Sequence, residues 1–364
     1  MVTKIGIIGF GAFGQFLYQC FKPMPDVKVV AVADSKRARD PGHTKFYVSW
    51  KNLITDNEID IVWIATVPDV HAEIACDSMQ AGRDVIIEKP IAITLKDARQ
   101  ILKIRDRTAR LATVNYMMRF NPLCKLLADF TRENVFGQLR RVNIENYAQD
   151  ETLPAKHWFW KKELSGGILI EHAVHFIDLV NYFSGQDFRT VTGLSHNRNP
   201  GQEDQVLASV LYEKGLIASH YHSFSRPGFF ERTSIRLNYD LAEFDIEGWL
   251  PLEGNFRALV NKDSYAAINL LPGVEIKNET KISNLIRYTN HPLRSGGIKY
   301  DVTKMVEGTF KIHQGKQQVY ADCVRSLLSD VIAHRQNSSH KLRVSLEDGI
   351  SSLKIACMAV NHAA

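Results

Sequence analysis

The stretch "GFGAFG" at 9–14, directly after the apolar run "KIGII", constrains this chain more than any other. GxGxxG spacing alone is a weak signal. Here it follows a strand-like run and opens "AFGQFLYQCF", a helical segment stopped by Pro23 and Pro25, the context a dinucleotide fingerprint requires. Gly9 permits the tight turn, Gly11 lets a pyrophosphate approach the backbone, and Gly14 lets helix pack on strand. Free N–H groups and the helix dipole favour anions at this point, so Phe10, Ala12 and Phe13 join the three glycines as expected cofactor contacts. The next strand, "VKVVAVAD", ends at Asp34 and Ser35, about 20 residues on, where a carboxylate takes ribose hydroxyls. Asp34 would repel a 2′-phosphate and so points to NAD. Lys36 and Arg37 lie just beyond it and keep NADP open.

The first ~120 residues alternate strand and helix, the pattern of a parallel α/β sheet. "IDIVWIAT" and "DVIIEKP" read as strands, "LATVNYMMRF" as the last strand of the unit, and "TLKDARQILKIRDRTA" as a helix with Thr94 as N-cap. After a helix at 122–134, the runs "LRRVNIENYA", "RTVTGLSHN", "QVLASVLYE", "GLIASHYHSF", "TSIRLNYD" and "AEFDIEGW" follow one another through turns, which predicts an antiparallel or mixed sheet. Helices near 317–335 and 346–362 close the chain. The expected organisation is a dinucleotide-binding domain, 1–121, and a substrate-binding and oligomerisation α/β domain, 122–364. "VLASVLY" and "LIASHYH" leave apolar side chains on both faces, which predicts subunit pairing through an open sheet face, as a homodimer or homotetramer.

With 364 residues, 45% hydrophobic and 23% charged, the chain has the composition of a soluble globular protein of two domains. The net charge of +5 includes no long basic run, so no nucleic-acid partner is expected, and no apolar stretch approaches the ~18 residues of a membrane span. Five scattered cysteines without a CxxC pair suit reduced thiols in a cytoplasmic protein.

The second stretch of interest is "GGILIEHAVHFIDL" at 166–179, apolar yet carrying Glu171, His172, His175 and Asp178. Buried charge is costly unless paired or used. On a helix at about 100° per residue, Glu171, His175, Asp178 and Tyr182 share a stripe about 60° wide, best read as lining a cleft. The alternative for His175 is a core imidazole bonded to Asp178. Glu171, His172 and His175 could in principle chelate a metal, but no further Cys/His cluster supports it and none is expected. Upstream, "AKHWFWKKE" offers Trp158 and Trp160 either as a sugar-stacking wall or as packing under a loop.

Glu88-Lys89-Pro90 stands at a strand end, on the rim where open α/β sheets bind ligands. Together "IGIIGFGAFG", "IATVPDVHAEIACDSMQAGRDVIIEKPIAIT", "NYMMRFNP" and "GGILIEHAVHFIDLVNYFSG" resemble, in order and separation, the glucose–fructose oxidoreductase / inositol dehydrogenase (Gfo/Idh/MocA) family; the likeness is thin from about 225 to 315. The resemblance implies a Rossmann domain followed by an α/β domain with a large open, mainly antiparallel sheet. It implies catalytic roles for Lys89 and His175, supported by Glu171, which stands where the family usually has aspartate. It implies cofactor contacts at Thr66, Pro68, His71, Glu88, Lys89 and Asn115. Substrate contacts are expected from Lys89, Glu171, His175, Arg119, Trp158, Trp160 and His172, Arg119 having cross-linking of the domains as its alternative and His172 a structural role. The expected activity is an NAD(P)-dependent dehydrogenase or reductase acting on a CH–OH group of a sugar, cyclitol or polyol. A non-redox enzyme with trapped NAD, or a silent NAD(P)-binding regulator, are the other classes.

Overall fold

The computed structural model describes residues 2–149, 153–285 and 293–362. The first part alternates β1 (Thr3–Ile8), α1 (Ala12–Phe21), β2 (Val27–Ala33), β3 (Lys45–Tyr47), α2 (Trp50–Ile54), β4 (Ile61–Ile64), α3 (His71–Gln80), β5 (Asp84–Ile87), α4 (Leu95–Thr108) and β6 (Ala112–Val114). Its six strands are parallel, in the order β3-β2-β1-β4-β5-β6. All residues of β4 and β5 are buried, as strands covered on both faces must be. The strand order reverses beside β1, which opens a crevice at the carboxyl ends of β1 and β4. Thr94 caps α4 as its sequence predicts, its Oγ1 accepting the Asp97 N–H at 3.1 Å. The strand expected over "LATVNYMMRF" is shorter: it ends at Val114, and Met117–Phe120 form a 3-10 turn.

The second part comprises α5 (Pro122–Arg132), β7 (Leu139–Gln149), α6 (Lys162–Ser165), a π-helical turn at Leu169–Ala173, α7 (Val174–Ser184), β8 (Phe188–Asn199), β9 (Gln202–Tyr212), β10 (Ile217–Arg226), β11 (Arg232–Tyr239), β12 (Ala242–Glu247), β13 (Glu253–Val260), α8 (Lys262–Ile268), β14 (Glu275–Lys281), α9 (Ile282–Leu285), β15 (Arg294–Ser295), β16 (Ile298–Lys299) and β17 (Lys304–Lys311). Nine strands form one sheet ordered β14-β17-β13-β12-β11-β7-β10-β9-β8. Its pairings are antiparallel except for β7 with β10. Strands β13, β14 and β17 lie beyond the sequence expectation, although "EGNFRALV" alternates exposed and buried residues as a one-sided strand should.

Helices cover one face of this sheet. The open face carries apolar side chains as expected from "VLASVLY" and "LIASHYH": Leu207 pairs with Leu194 and Leu211 with Ile217. Leu194 and Ile217 are 62% and 53% exposed, but Thr192, Ser209 and Ser219 lie between them in register. Towards β12, β13 and β17 the face carries the ion pairs Arg236–Asp245 and Arg257–Glu307.

The closing helices α10 (Lys316–Gln336) and α11 (Leu346–His362) return to the first sheet. Thr113 Oγ1 donates to the Val344 carbonyl at 2.7 Å, Tyr116 OH lies 2.6 Å from Ser352 Oγ, and Arg335 Nε donates to Asp84 Oδ2 at 2.7 Å. Arg119 stands at the centre of the junction. It donates to Asp178 Oδ1 and Oδ2 at 2.6 and 2.9 Å and to the Arg343 carbonyl at 3.0 Å, and pairs with Asp348 at 3.0 Å. The side chains of Arg119 and Asp178 are only 7% and 2% exposed. Arg119 therefore cross-links the two parts, and its expected role as a substrate contact is corrected. Removing one member of a buried pair strands the other charge. Arg119→Met is expected to cost about 3–5 kcal/mol in chemical denaturation, and Arg119→Met with Asp178→Leu to recover most of that loss.

Candidate active site

Two adjacent features form the site. The first is a groove of about 890 Å³ at the crevice of the parallel sheet, walled by Gly9, Gly11, Phe13, Asp34, Arg39 and Thr66, with Ala12 and Ser35 also lining it. Gly9 has φ of +90°, and a Cβ there would collide with the Ala65 carbonyl. A Cβ on Gly14 would strike the Gly9 carbonyl, which is the close helix–strand contact its position demands. At Gly11 the space is open: the nearest atom to an added Cβ is Arg39 Nη1 at 3.5 Å. Gly11 is also the N-cap of α1 and no side chain occupies the cap, so the first-turn N–H groups face the groove unused. These features fit a dinucleotide pyrophosphate.

Asp34 is more engaged than its sequence position suggests. Oδ1 accepts the Lys36 N–H at 2.8 Å, and Oδ2 accepts the Phe10 N–H at 2.9 Å and Arg39 Nη1 at 2.8 Å. Burial opposes its ionisation, but these donors outweigh burial and hold the carboxyl below its ordinary value. Arg39 was not singled out by sequence; the short turn Arg37–Arg39 folds it back onto the strand end.

The second feature is the Lys89–Glu171 contact. Lys89, just past β5, donates Nζ to Glu171 twice: to the backbone carbonyl at 2.7 Å and to Oε1 at 2.8 Å. Glu171 lies in the π-helical turn, entered through Gly166 and Gly167, both at positive φ. Sequence predicted a regular helix across 171–182; the widened turn is a departure of the kind that gathers at functional sites. Burial pushes the Glu171 carboxyl up, yet the charge of Lys89, followed by His172 and the Lys89 hydrogen bond, brings it below its ordinary value. Beside the pair, His175 Nδ1 is buried without a partner. Burial and then the Lys89 charge push its pKa down to about 3, so it is neutral at pH 7.

The predicted stripe is divided. Glu171 and His175 stay near Lys89, whereas Asp178 is taken by Arg119, and Tyr182 lies against the same guanidinium at 5.2 Å. His172 points to the sheet, its Nε2 3.0 Å from Asn146 Oδ1. Trp160 is 7% exposed, packs edge-on to Phe159, and donates Nε1 to the Leu153 carbonyl at 3.3 Å; it does not form a sugar wall. Trp158, with His157, lines the dinucleotide groove instead. His71 and Pro68 are buried and do not line the groove. The His71 ring braces the site, with Nδ1 2.8 Å from the Pro90 carbonyl and Nε2 3.1 Å from that of Thr66. Glu88 Oε1 accepts Trp63 Nε1 and Asn115 Nδ2, each at 2.8 Å, while Asn115 Oδ1 is buried and unpartnered. Burial pushes Glu88 up to about 7 against those two bonds. Among the described residues no group of three or more His, Cys, Asp or Glu is placed to hold a metal, and no helix is long and apolar enough to cross a membrane.

Residues 3–116 match the model of an oxidoreductase family with an NAD-binding Rossmann fold, and residues 125–238 match the C-terminal domain of the same family, GFO/IDH/MocA. The chain belongs to the GFO/IDH/MocA family. Among relatives of this family member, 1,5-anhydro-D-fructose reductase from Ensifer adhaerens is 26% identical over 194 residues, 52% of this chain and 57% of that protein. Scyllo-inositol 2-dehydrogenase (NAD(+)) from Bacillus subtilis is 25% identical over 229 residues, 58% of this chain and 65% of that protein. The chain thus spans about six-tenths of the length of these relatives. The crystal structure of myo-inositol 2-dehydrogenase from Lactobacillus plantarum shares the fold, with a TM-score of 0.73 at 17% identity, covering 100% of this chain and 97% of that one.

Further imidazoles of this family member are buried beneath the site. His220 and His222 are fully buried with all four ring nitrogens unpartnered. Burial lowers His220 to about 3, His172 to about 4, and His222 well below its ordinary value. Such groups are neutral when folded and take up protons when unfolded. Above pH ~6.5 they contribute no pH dependence; stability falls as pH drops from ~6.5 towards the folded values. At pH 5 each costs about 2 kcal/mol. Urea unfolding is expected to show a steep loss of stability between pH 7 and pH 5, and His220→Leu to remove about 2 kcal/mol of it.

Proposed function

We propose that this protein is an NAD(P)-dependent dehydrogenase or reductase acting on a secondary alcohol or ketone of a sugar, cyclitol or polyol. The single observation that carries the reading is the Lys89–Glu171 ion pair with neutral His175 beside it, at the rim of a sheet whose crevice fits a dinucleotide. The family and the activities for which its relatives are named support the substrate class.

A bound nicotinamide would take the hydrogen and electron pair from the substrate carbon, and the chain supplies the rest. Lys89 offers a cation to the substrate oxygen, held in place by the carbonyl and carboxylate of Glu171. As the C–H bond breaks, the hydroxyl proton must leave. Neutral His175 has a ring-nitrogen lone pair for it at pH 7; Lys89, holding its positive charge, has none until it gives up a proton of its own. Glu171 fixes the position and charge of Lys89. His71 braces the Thr66 loop against the Lys89–Pro90 turn, and Trp158 closes one side of the groove.

Lys89→Ala and His175→Ala are each expected to lower kcat by at least ~10²-fold, read at 340 nm against a polyol and sugar panel with both cofactors. Glu171→Gln is expected to lower it strongly, while NADH affinity barely changes in the His175 and Glu171 variants. Near-normal turnover in both His175→Ala and Glu171→Gln would overturn the site assignment. The open sheet face is the proposed subunit contact, in a homodimer or homotetramer. Light scattering at micromolar concentration is expected to give twice or four times the 41.3 kDa chain mass, and a monomer would refute it.

A further inference from the structure

We infer that Arg39 makes the groove a site for dinucleotides with or without a 2′-phosphate, and that Arg39, rather than Arg37, is the residue that sets the preference between them. The inference rests on the dinucleotide reading given above. A carboxylate has about four acceptor positions. At Asp34 three are occupied, by the N–H groups of Phe10 and Lys36 and by Arg39 Nη1. A carboxylate that selects NAD needs free positions for the ribose hydroxyls and an unbalanced charge to repel phosphate. Asp34 has neither in full: about one position remains, and its charge is matched by a guanidinium at 2.8 Å.

Arg39 has the opposite balance. A guanidinium carries five N–H donors in a fixed fork. Among the described residues the Arg39 side chain donates one hydrogen bond, to Asp34. The side chain is 35% exposed and forms part of the groove wall, and Nη1 lies near the open space over Gly11. The guanidinium thus borders the place where the adenosine ribose must sit if the pyrophosphate occupies the α1 N-terminus. Planar, charge-assisted donation to a phosphate is the contact that arginine makes best. The salt bridge also holds the side chain in place, so little ordering remains for a phosphate to impose. Arg37 does not line the groove; Lys36 does, and its backbone N–H is given to Asp34. A ribose without the phosphate uses the remaining Asp34 lone pair; a ribose with it uses Arg39.

The test is equilibrium binding, by calorimetry, of NADH and NADPH to the full-length protein and to Arg39→Ala, Arg39→Lys, Arg37→Ala and Asp34→Asn. The wild type is expected to bind both. Arg39→Ala is expected to shift the affinity ratio against NADPH by at least tenfold, Arg39→Lys to shift it less, and Arg37→Ala to leave it unchanged. Asp34→Asn is expected to shift the ratio towards NADPH. Adenosine 2′,5′-bisphosphate should displace NADPH from the wild type and lose potency in Arg39→Ala. Circular dichroism establishes that each variant is folded. A wild type that binds NADH but not NADPH, or a ratio that Arg39→Ala does not move, overturns the inference and leaves the dinucleotide reading intact. Binding of neither dinucleotide overturns both.

Discussion

The contact on which the site depends is a lysine ammonium shared between the backbone carbonyl and the carboxylate of one residue. Lys89 and Glu171 are separated by 82 positions, one just past a strand of the first sheet and the other in a π-helical turn of the second part, yet lie within 2.8 Å at two points. A single ammonium–carboxylate contact would leave the lysine free to pivot on its flexible stem. The second bond, to the Glu171 carbonyl, fixes its direction as well. Meeting both requires that this carbonyl face out of its helix, and the residue lies in a π turn rather than an α turn. The local irregularity is thus the means by which a helix presents main chain and side chain to the same cation.

The surroundings of that ion pair are neutral by design of burial. His172 and His175 flank it, and both are driven to the uncharged form by burial first, with the lysine adding to the effect. An imidazolium beside Lys89 would oppose the one positive charge the site needs. Keeping the imidazoles neutral leaves Lys89 as the dominant cation. The same burial costs stability in acid, because the unfolded chain gains protons that the folded chain refuses. Site electrostatics and acid sensitivity are therefore one property seen at two levels.

Much of the first sheet was legible because its signals are local. The glycine spacing, the fully apolar strands and the Thr94 cap each act over a few residues, and the structure places all of them as read. The expectations for the second part held where strands alternate and lapsed where contacts are distant. Arg119 carries no local sign of its partners: Asp178 is 59 residues away and Arg343 is 224. The stripe on the 171–182 helix assumed a constant 100° step, which a π turn breaks. Trp158 and Trp160 are two residues apart in one aromatic cluster, but a 3-10 turn sends one to the groove and one to the core. Arg39 went unmarked because a wheel or strand pattern has no term for a short turn that doubles back on its own strand end.

The glutamate at 171 is best understood together with the turn that carries it. The family resemblance implies an aspartate here, one methylene shorter, about 1.5 Å less in reach. A π turn widens the helix and changes where its side chains start, so a longer side chain need not carry the carboxylate past its partner. The observed geometry supports this: Oε1 stands at 2.8 Å from Lys89 while the carbonyl of the same residue is at 2.7 Å, with neither contact stretched. Substituting aspartate would keep the carbonyl bond, which depends on the backbone, and withdraw the carboxylate bond, which depends on reach. Lys89 would then be positioned but less strongly countered in charge. Glu171→Asp is therefore expected to keep measurable turnover and to change which substrates of a polyol panel are used, whereas Glu171→Gln removes the charge and keeps the reach. Comparing kcat and KM of the two variants separates the carboxylate's charge from its position; equal losses in both would mean that charge and position act as one requirement.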